Sequence, residues 1–162
     1  PTPAPPVPSQ PQNTAPASAE APRPYVPRRL TPAEAVAPGK LRTKEHLRSL
    51  FPRAVRISRM HPAARLIALT LLGHAHFKTG LVSPARRPDM TQLAEETGLT
   101  TRQVEVQIHV LTQRGWLYTR PLTQGRHAGE EGLFVAVPAL LLEHLRAARS
   151  AHAEQTADGG TE

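Results

Sequence analysis

The alternation of apolar and polar positions is most regular between residues 90 and 117. Apolar residues recur there at helical spacing, and glycine interrupts the pattern at Gly98 and again at Gly115. A glycine directly after a helical stretch is typical of a helix C-terminus. Residues 90–115 are therefore predicted to form two short helices joined by a tight turn, with an aromatic strand after them. This is the pattern of a helix-turn-helix.

Short polar residues stand where these two helices should begin. Asp89 or Thr91 is the predicted N-cap of the first helix, because its side-chain oxygen can accept a hydrogen bond from an unpaired backbone N–H. Thr100 or Thr101 is the predicted N-cap of the second helix for the same reason. The second helix should turn inward an apolar face at i, i+4 and i+7 spacing, and its residues are Val104, Ile108 and Leu111.

Two further helices are predicted before residue 90. Residues 44–51 form a short amphipathic stretch with Thr43 as its N-cap, and Pro52 is expected to end it. Residues 62–77 are the most apolar stretch of the chain, and Pro62 suits the first helical position. This helix should be buried on more than one side, with any exposed remainder available to a partner chain. The residues that cover its circumference are Leu66, Ile67, Leu69, Leu71 and Leu72.

Strands are predicted beside and after the helix pair. Residues 116–120 and 133–137 are rich in aromatic and branched side chains, which favour strands, and residues 81–83 form a brief third candidate. The polar residues 121–132 hold three glycines and are predicted to be a loop. Together the two longer strands and their loop make an extended hairpin, or wing. A last helix should cover residues 138–153 and begin at Pro138.

Proline and basic residues are concentrated near the start of the sequence. The first 38 residues hold 12 of the 18 prolines, and residues 1–39 are predicted to be a disordered tail because they cannot bury enough apolar surface to fold. Between residues 21 and 60 ten Lys or Arg stand against two acids, although the whole chain carries only +7. We interpret this stretch as a basic arm that contacts nucleic-acid phosphates. The alternative is that its arginines only reflect the base content of the genome. Residues 154–162 are predicted to be a second loose tail.

Several kinds of site are not indicated. The sequence has no cysteine, so disulfides and thiolate chemistry are excluded. No apolar run approaches the roughly 18 residues of a membrane span, and nothing resembles a secretory signal. His74 and His76 would diverge on one helix and could not share a metal ion, so no metal is expected. No catalytic constellation is recognisable, and we expect neither an enzyme nor a cofactor.

Residues 62–137 resemble the winged helix-turn-helix domains of bacterial, plasmid and phage DNA-binding proteins. The resemblance is nearest to the replication proteins of phages and plasmids, although transcriptional regulators share most of the pattern. That pattern has an apolar first helix, a connector, a second helix with a terminal glycine, and a third helix that ends in glycine before a strand. In this sequence the four parts are residues 66–77, Thr79-Gly80 with Pro84, Leu93-Ala94 with Gly98, and Leu111 with Gly115-Trp116.

The resemblance implies which residues contact DNA. The start of the third helix faces the major groove, where arginine can pair with guanine and glutamine with adenine, and the wing contacts the backbone. The corresponding helix residues are Thr100, Thr101, Arg102, Gln103, Val106 and Gln107. Those of the wing are Arg120, Arg126 and His127, and those of the basic arm are Arg28, Arg29, Lys40 and Arg42.

One pair of positions departs from this family pattern. Family members often carry arginine or lysine where this sequence has Glu105 and Val106. A carboxylate that faces phosphate is repulsive, and valine can only touch a thymine methyl group. We therefore expect the arm and the wing to supply much of the affinity.

The predicted fold is mainly α with a small β-hairpin, namely a winged helix-turn-helix with extra N-terminal and C-terminal helices. Within a domain of residues 40–153, the helix-turn-helix covers residues 90–115 and the wing residues 116–137. The predicted function is sequence-specific binding of duplex DNA, as a plasmid or phage replication initiation or partition accessory protein or as a transcriptional regulator. The alternative is a protein-interaction module with a degenerate winged helix, tethered by the proline-rich tail.

The predicted partners are double-stranded DNA, a second copy of the chain through its leucine-rich first or last helix, and a replication or partition protein. No membrane partner is expected. The predicted location is cytoplasmic, in association with the nucleoid or a plasmid.

Overall fold

The computed structural model describes residues 25–158 of the chain. In chain order this part contains α1 (Pro32–Val36), α2 (Leu47–Ile57), α3 (Pro62–His74), β1 (Leu81–Val82), α4 (Met90–Thr97), α5 (Thr101–Gln113), β2 (Leu117–Pro121), β3 (Glu131–Val135) and α6 (Ala139–Asp158). A 3₁₀ turn, Pro84–Arg86, lies between β1 and α4. The prediction of a mainly helical chain with a small β part is confirmed.

The strands form one antiparallel sheet in the order β1-β3-β2. In the hairpin, Leu117 pairs with Val135 and Pro121 pairs with Glu131. The short β1 joins the other edge of β3, where Leu81 pairs with Phe134. The predicted hairpin is thus part of a three-stranded sheet, because β1, the brief strand expected near residue 81, pairs with β3 of the hairpin.

The core lies between the helices and one face of the sheet. Phe51 of α2 meets Trp116 edge to face, with 5.2 Å between the ring centroids. Helix α3 packs against α2, α4, α5 and β3, and Ile67 in its inner face is fully buried. Its outer face keeps Leu66 and Leu69 42% and 41% exposed. Helix α3 is therefore buried on more than one side, as predicted, with one apolar stripe left open.

Helix α2 differs from its predicted bounds. It starts at Leu47, three residues later than predicted, with His46 rather than Thr43 as its N-cap. It also continues through Pro52 to Ile57, so the prediction that Pro52 ends the helix is wrong. Pro52 lacks the N–H of one helical hydrogen bond, but Ala54 and Val55 beyond it are buried in the core. Their burial keeps the helix going past the proline.

The ends of α3 and α6 also differ from the predicted ones. Helix α3 ends at His74 instead of residue 77, because Ala75 is extended and the chain turns there to bring β1 against β3. Helix α6 runs to Asp158, so residues 154–158 are helical rather than part of a loose tail. Residues 159–162 lie outside the described part.

Residues 25–39 are folded onto the domain. Thr31 and Glu34 form a capping box at the start of α1, which packs on α6. The Gly39 N–H donates to the Val137 carbonyl at 2.8 Å, and Ala139 donates to Ala37 at 2.9 Å. Residues 25–39 therefore belong to the folded domain rather than to a disordered tail, since these backbone groups pair with the chain around the start of α6. Residues 1–24, the rest of the predicted tail, lie outside the described residues.

Candidate nucleic-acid interface

A side-chain N-cap begins each of the helices α4 and α5, and Gly98 lies in the turn between them. Asp89 Oδ1 accepts a hydrogen bond from the Gln92 N–H at 2.7 Å, which begins α4. Gly98 ends that helix in the left-handed conformation, with φ +69°, as predicted from its position. Thr100 then caps α5, so of the alternatives left open by the sequence the structure uses Asp89 and Thr100.

One face of α5 is anchored in the core. Val104 and Leu111 are fully buried, and Ile108 packs against the same cluster. Helices α3 and α4 both contact α5, and Leu99 in the turn is packed against the core as well. The predicted inner face of α5 is confirmed, and its orientation leaves the opposite face on the surface.

The outer face of α5 presents most of the predicted base-contacting residues. Thr101, Arg102 and Val106 are exposed, and Val106 shows 51% of its surface. Gln107 is half-buried. Glu105 is exposed on the same helix, so the side chains available to a ligand there are mixed in charge rather than basic.

The Gln103 side chain takes part in the cap of α5, a role that was not assigned to it from the sequence. Its Oε1 accepts hydrogen bonds from the Thr100 N–H at 2.9 Å and from Thr100 Oγ1 at 3.0 Å. In return, Thr100 Oγ1 accepts from the Gln103 N–H at 3.2 Å. A bidentate pair with adenine needs the same Oε1. Gln103 and Thr100 therefore cap the helix, whereas Thr101, Arg102, Val106 and Gln107 take no part in this cap.

The β2–β3 hairpin ends in a hydrogen-bonded loop. Gly125 and Gly129 both have a positive φ, and the Gly129 N–H donates to the Leu122 carbonyl at 2.8 Å. Of the three predicted contact residues, Arg126 projects from the loop and is exposed. His127 Nδ1 lies 3.0 Å from Glu130 Oε1, so a carboxylate of the same loop accompanies this histidine.

Arg120 lies on the sheet rather than at the tip of the hairpin. Its guanidinium carbon is 4.4 Å from the centroid of the Phe134 ring, which also stacks on Tyr118 at 5.1 Å. The planar, weakly hydrated guanidinium favours such stacking. Arg120 remains exposed, so its N–H groups still face solvent.

Three of the four residues of the predicted basic arm, Arg28, Lys40 and Arg42, lie beside α6. Arg28 pairs with Glu34 at 2.9 Å and shares a cleft with Arg146. Arg42 lies over the ring of Tyr25, at 5.5 Å. The Lys40 carbonyl accepts from Arg146 at 2.9 Å, which leaves the lysine side chain exposed. Arg29 is exposed too.

The position of α1 separates this arm from the start of α5. The Val36 carbonyl lies directly against Gly115, just after α5 ends. The 13 residues of α5 span about 20 Å. The structure therefore does not bring α1 to the end of α5 that carries Arg102.

Two arginines before α4 were not assigned a role from the sequence. Arg86 and Arg87 are exposed at the end of the 3₁₀ turn that leads into α4. The sequence signal that could have identified them is a pair of adjacent arginines just before a predicted helix start.

The prediction that His74 and His76 diverge on one helix is wrong. Because α3 ends at His74, the two do not diverge on one helix, and both line the same cleft.

Comparison with protein-family models, with curated proteins and with solved structures finds no significant match to this chain. None of the helices within residues 25–158 is long and apolar enough to cross a membrane. The geometry of the helix pair and the hairpin is thus the basis for a functional assignment.

Proposed function

We propose that residues 62–137 form a winged helix-turn-helix domain that binds duplex DNA. Helix α5 would enter the major groove with its N-terminal turns, and the β2–β3 hairpin would act as the wing beside it. The order α3, β1, α4, α5, β2, β3, with β1 paired to β3, supports this proposal. So does the short connection from α5 to β2, which ties the hairpin to the end of the helix.

The observation that carries the proposal is the exposed start of α5. Its inner face is anchored by Val104 and Leu111, while Thr101 and Arg102 face solvent on a helix capped by Thr100. Helix-turn-helix proteins contact base edges from this part of the second helix. A capped helix whose first turn carries an arginine without an ion-pair partner among residues 25–158 is suited to that task, because arginine can pair with both acceptors of guanine.

The exposed arginines lie on several elements and not on α5 alone. Arg102 has Glu105 close by on the same helix, so α5 contributes little net attraction for phosphate. Arg120 and Arg126 on the hairpin, with Arg86 and Arg87 before α4, supply exposed positive charge outside α5. We infer that α5 reads a few base pairs while these arginines contact the backbone, whose attraction does not depend on base sequence.

The decisive experiment selects binding sites from a random duplex library and then measures affinity by fluorescence anisotropy. Log affinity should fall with log salt by about 0.9 for each phosphate neutralised. Arg102→Ala should cost about 1–3 kcal/mol and relax specificity at one base pair. Arg114→Ala, at the other end of α5, is the matched control and should leave specificity unchanged. No binding of any duplex at low salt overturns the proposal.

A second candidate is docking to another protein, in which the winged helix is degenerate. It is favoured by Val106, which is 51% exposed at the centre of the outer face, and by Glu105 beside it. An apolar contact would give complex formation that depends weakly on salt, unlike DNA binding. Val106→Glu would then abolish the complex, whereas a duplex-binding protein would lose affinity in a salt-dependent manner.

The biological role follows from which duplex is selected. We propose a replication initiation or partition accessory protein of a plasmid or phage, or a transcriptional regulator. Repeated sites in an origin would favour the first of these, and a site within a promoter would favour the last. A second copy of the chain, docked through the Leu66 and Leu69 stripe of α3, is the partner proposed for a symmetric site.

A further inference from the structure

A cleft lies between the start of α2, the C-terminal end of α3 and the 3₁₀ turn before α4. Its volume is about 410 Å³, which falls in the range of sites for small ligands. Three separate stretches of the chain build it, so no single motif in the sequence marks it. The lining residues are Arg48, Gly73, His74, Ala75, His76, Leu81, Ser83 and Arg86.

The polar lining of this cleft is basic. Arg48 from α2 and Arg86 from the 3₁₀ turn are far apart in sequence but line the same space. Neither arginine pairs with a carboxylate of residues 25–158. No Asp or Glu belongs to the lining. Two unneutralised guanidinium groups on one concave surface repel each other, and an anion between them relieves that repulsion.

The two histidines of the cleft have different partners. His74 Nε2 is 2.9 Å from Glu96 Oε2, and this contact holds the pKa of Glu96 below its ordinary value. His74 is therefore committed to a carboxylate and is not counted among the anion ligands. His76 Nδ1 lies 3.2 Å from Thr79 Oγ1, which leaves Nε2 for a ligand. Ser83 adds a hydroxyl, since its side chain makes no cap hydrogen bond to the 3₁₀ turn.

We propose that this cleft binds a phosphoryl group, held by Arg48 and Arg86 with His76 and Ser83 as further hydrogen-bond donors. Arginine presents a planar set of N–H groups that matches two phosphate oxygens at once. The cleft has room beside the phosphoryl group, so a phosphate monoester the size of a mononucleotide fits its volume. This site is separate from the exposed face of α5 and does not require that the protein bind DNA.

The first experiment measures binding of inorganic phosphate and of adenosine 5′-monophosphate by isothermal titration calorimetry at constant ionic strength. Adenosine, which lacks the phosphoryl group, is the control ligand. Both phosphates should bind with a single site per chain, and adenosine should not. In amide NMR spectra the shifts should be confined to the cleft, at Gly73, Ala75 and Leu81.

Matched variants locate the site. Arg48→Ala and Arg86→Ala should each weaken phosphate binding by about tenfold or more, because each removes hydrogen bonds to a charged group. Arg53→Ala on the same helix α2 and Arg114→Ala at the end of α5 remove equal charge from exposed positions outside the lining. These controls should bind phosphate like the unaltered protein. Equal melting temperatures would show that all four variants fold.

The source of the phosphoryl group is decided by a second arm with duplex DNA. If neither small phosphate binds at millimolar concentration, but Arg48→Ala and Arg86→Ala weaken DNA binding more than their controls do, the group belongs to a DNA backbone. Binding of small phosphates by a protein that binds no duplex would support the cleft and overturn only the DNA proposal. Equal behaviour of all four variants toward phosphate and DNA overturns the phosphoryl site.

Discussion

Arg146 of α6 donates two hydrogen bonds to the carboxylate of Glu45. Its Nε donates to Oε1 at 2.9 Å and its Nη2 donates to Oε2 at 2.6 Å. The same guanidinium also donates to Glu143 at 2.7 Å and to the Lys40 carbonyl at 2.9 Å. The side chains of Arg146 and Glu45 are only 11% and 6% exposed. This nearly buried pair attaches the chain before α2 to the last helix.

The pair should make stability depend on acid pH. The hydrogen bonds from Arg146 lower the pKa of Glu45 from 4.5 to about 2. Because the folded pKa is depressed, the stabilisation is complete above pH 4.5 and is lost as pH falls toward about 2. Its upper limit is about 3 kcal/mol. Urea unfolding across this range should show the loss in the wild type. The difference in stability from Glu45→Gln should shrink as pH falls, and a constant difference would contradict this account.

Gly115→Ala should be more destabilising than Gly98→Ala. Both glycines have a positive φ, +75° and +69°, so alanine costs about 1–2 kcal/mol of backbone strain at either site. A Cβ at residue 98 meets nothing within 4 Å, whereas one at residue 115 would overlap the Val36 carbonyl oxygen. The free energy of unfolding in urea should therefore fall further for Gly115→Ala. Equal losses would show that α1 does not lie against this glycine.

The cap of α5 should be worth about 1 kcal/mol. Thr100→Ala removes the hydroxyl that accepts from the Gln103 N–H, and loss of such an N-cap typically costs about 0.5–2 kcal/mol. Thr101→Ala changes the next residue, which is exposed and lies inside the helix rather than at its cap. Thermal unfolding should separate the two variants. A Thr101→Ala variant as unstable as Thr100→Ala would contradict the assignment of Thr100 as the N-cap.

Arg126 of the hairpin should contribute to DNA binding alone, whereas Arg120 should contribute to DNA binding and to the stability of the fold. Arg126→Ala should reduce the salt slope of DNA binding by about 0.9 and leave unfolding unchanged. Arg120→Ala should also lower stability by about 0.5–1 kcal/mol, since its guanidinium stacks on Phe134 at 4.4 Å. Anisotropy titrations at several salt concentrations and urea unfolding measure the two effects. Loss of stability in Arg126→Ala alone would reverse these assignments.

The exposed stripe of α3 should mediate self-association. Leu66 and Leu69 are 42% and 41% exposed one turn apart, and a second copy could bury both. Leu66→Glu would place a carboxylate in that contact, so the dimer should become a monomer while the fold persists. Light scattering at micromolar concentration measures this. Ile57→Glu, at an exposed apolar residue of α2, is the control, and a monomeric wild type would remove the proposal.

Local signals in the sequence were sufficient for the helix pair and its flanks. Gly98 and Gly115 mark helix ends because their backbone conformation excludes most other residues. Val104 and Leu111 mark the inner face of α5 because their spacing matches the helical turn. These signals act over a few residues, which is why the inner face of α5 was predicted correctly and each N-cap was narrowed to two neighbouring candidates. The assignment of Arg102 to DNA stays a prediction.

Signals that depend on distant parts of the chain were missed. Pro52 lies within α2 because Ala54 and Val55 beyond it are buried. Gln103 is a different case, because its contact with Thr100 is a local capping box three residues long that competes with the outward role expected of it. Composition assigned Arg28 and Arg42 to a disordered arm or its edge, but both lie beside α6.

The sequence by itself determined the succession of helices and strands from α2 to α6, since capping, glycine conformation and apolar spacing are properties of neighbouring residues. Only the tertiary structure decided which charges come together. Arg146 meets Glu45 across 101 residues of chain, and Arg48 comes to line a cleft with Arg86. The physical reason is that burial and electrostatic contact depend on distance in space. That distance is set by the packing of the whole core rather than by any short pattern of residues.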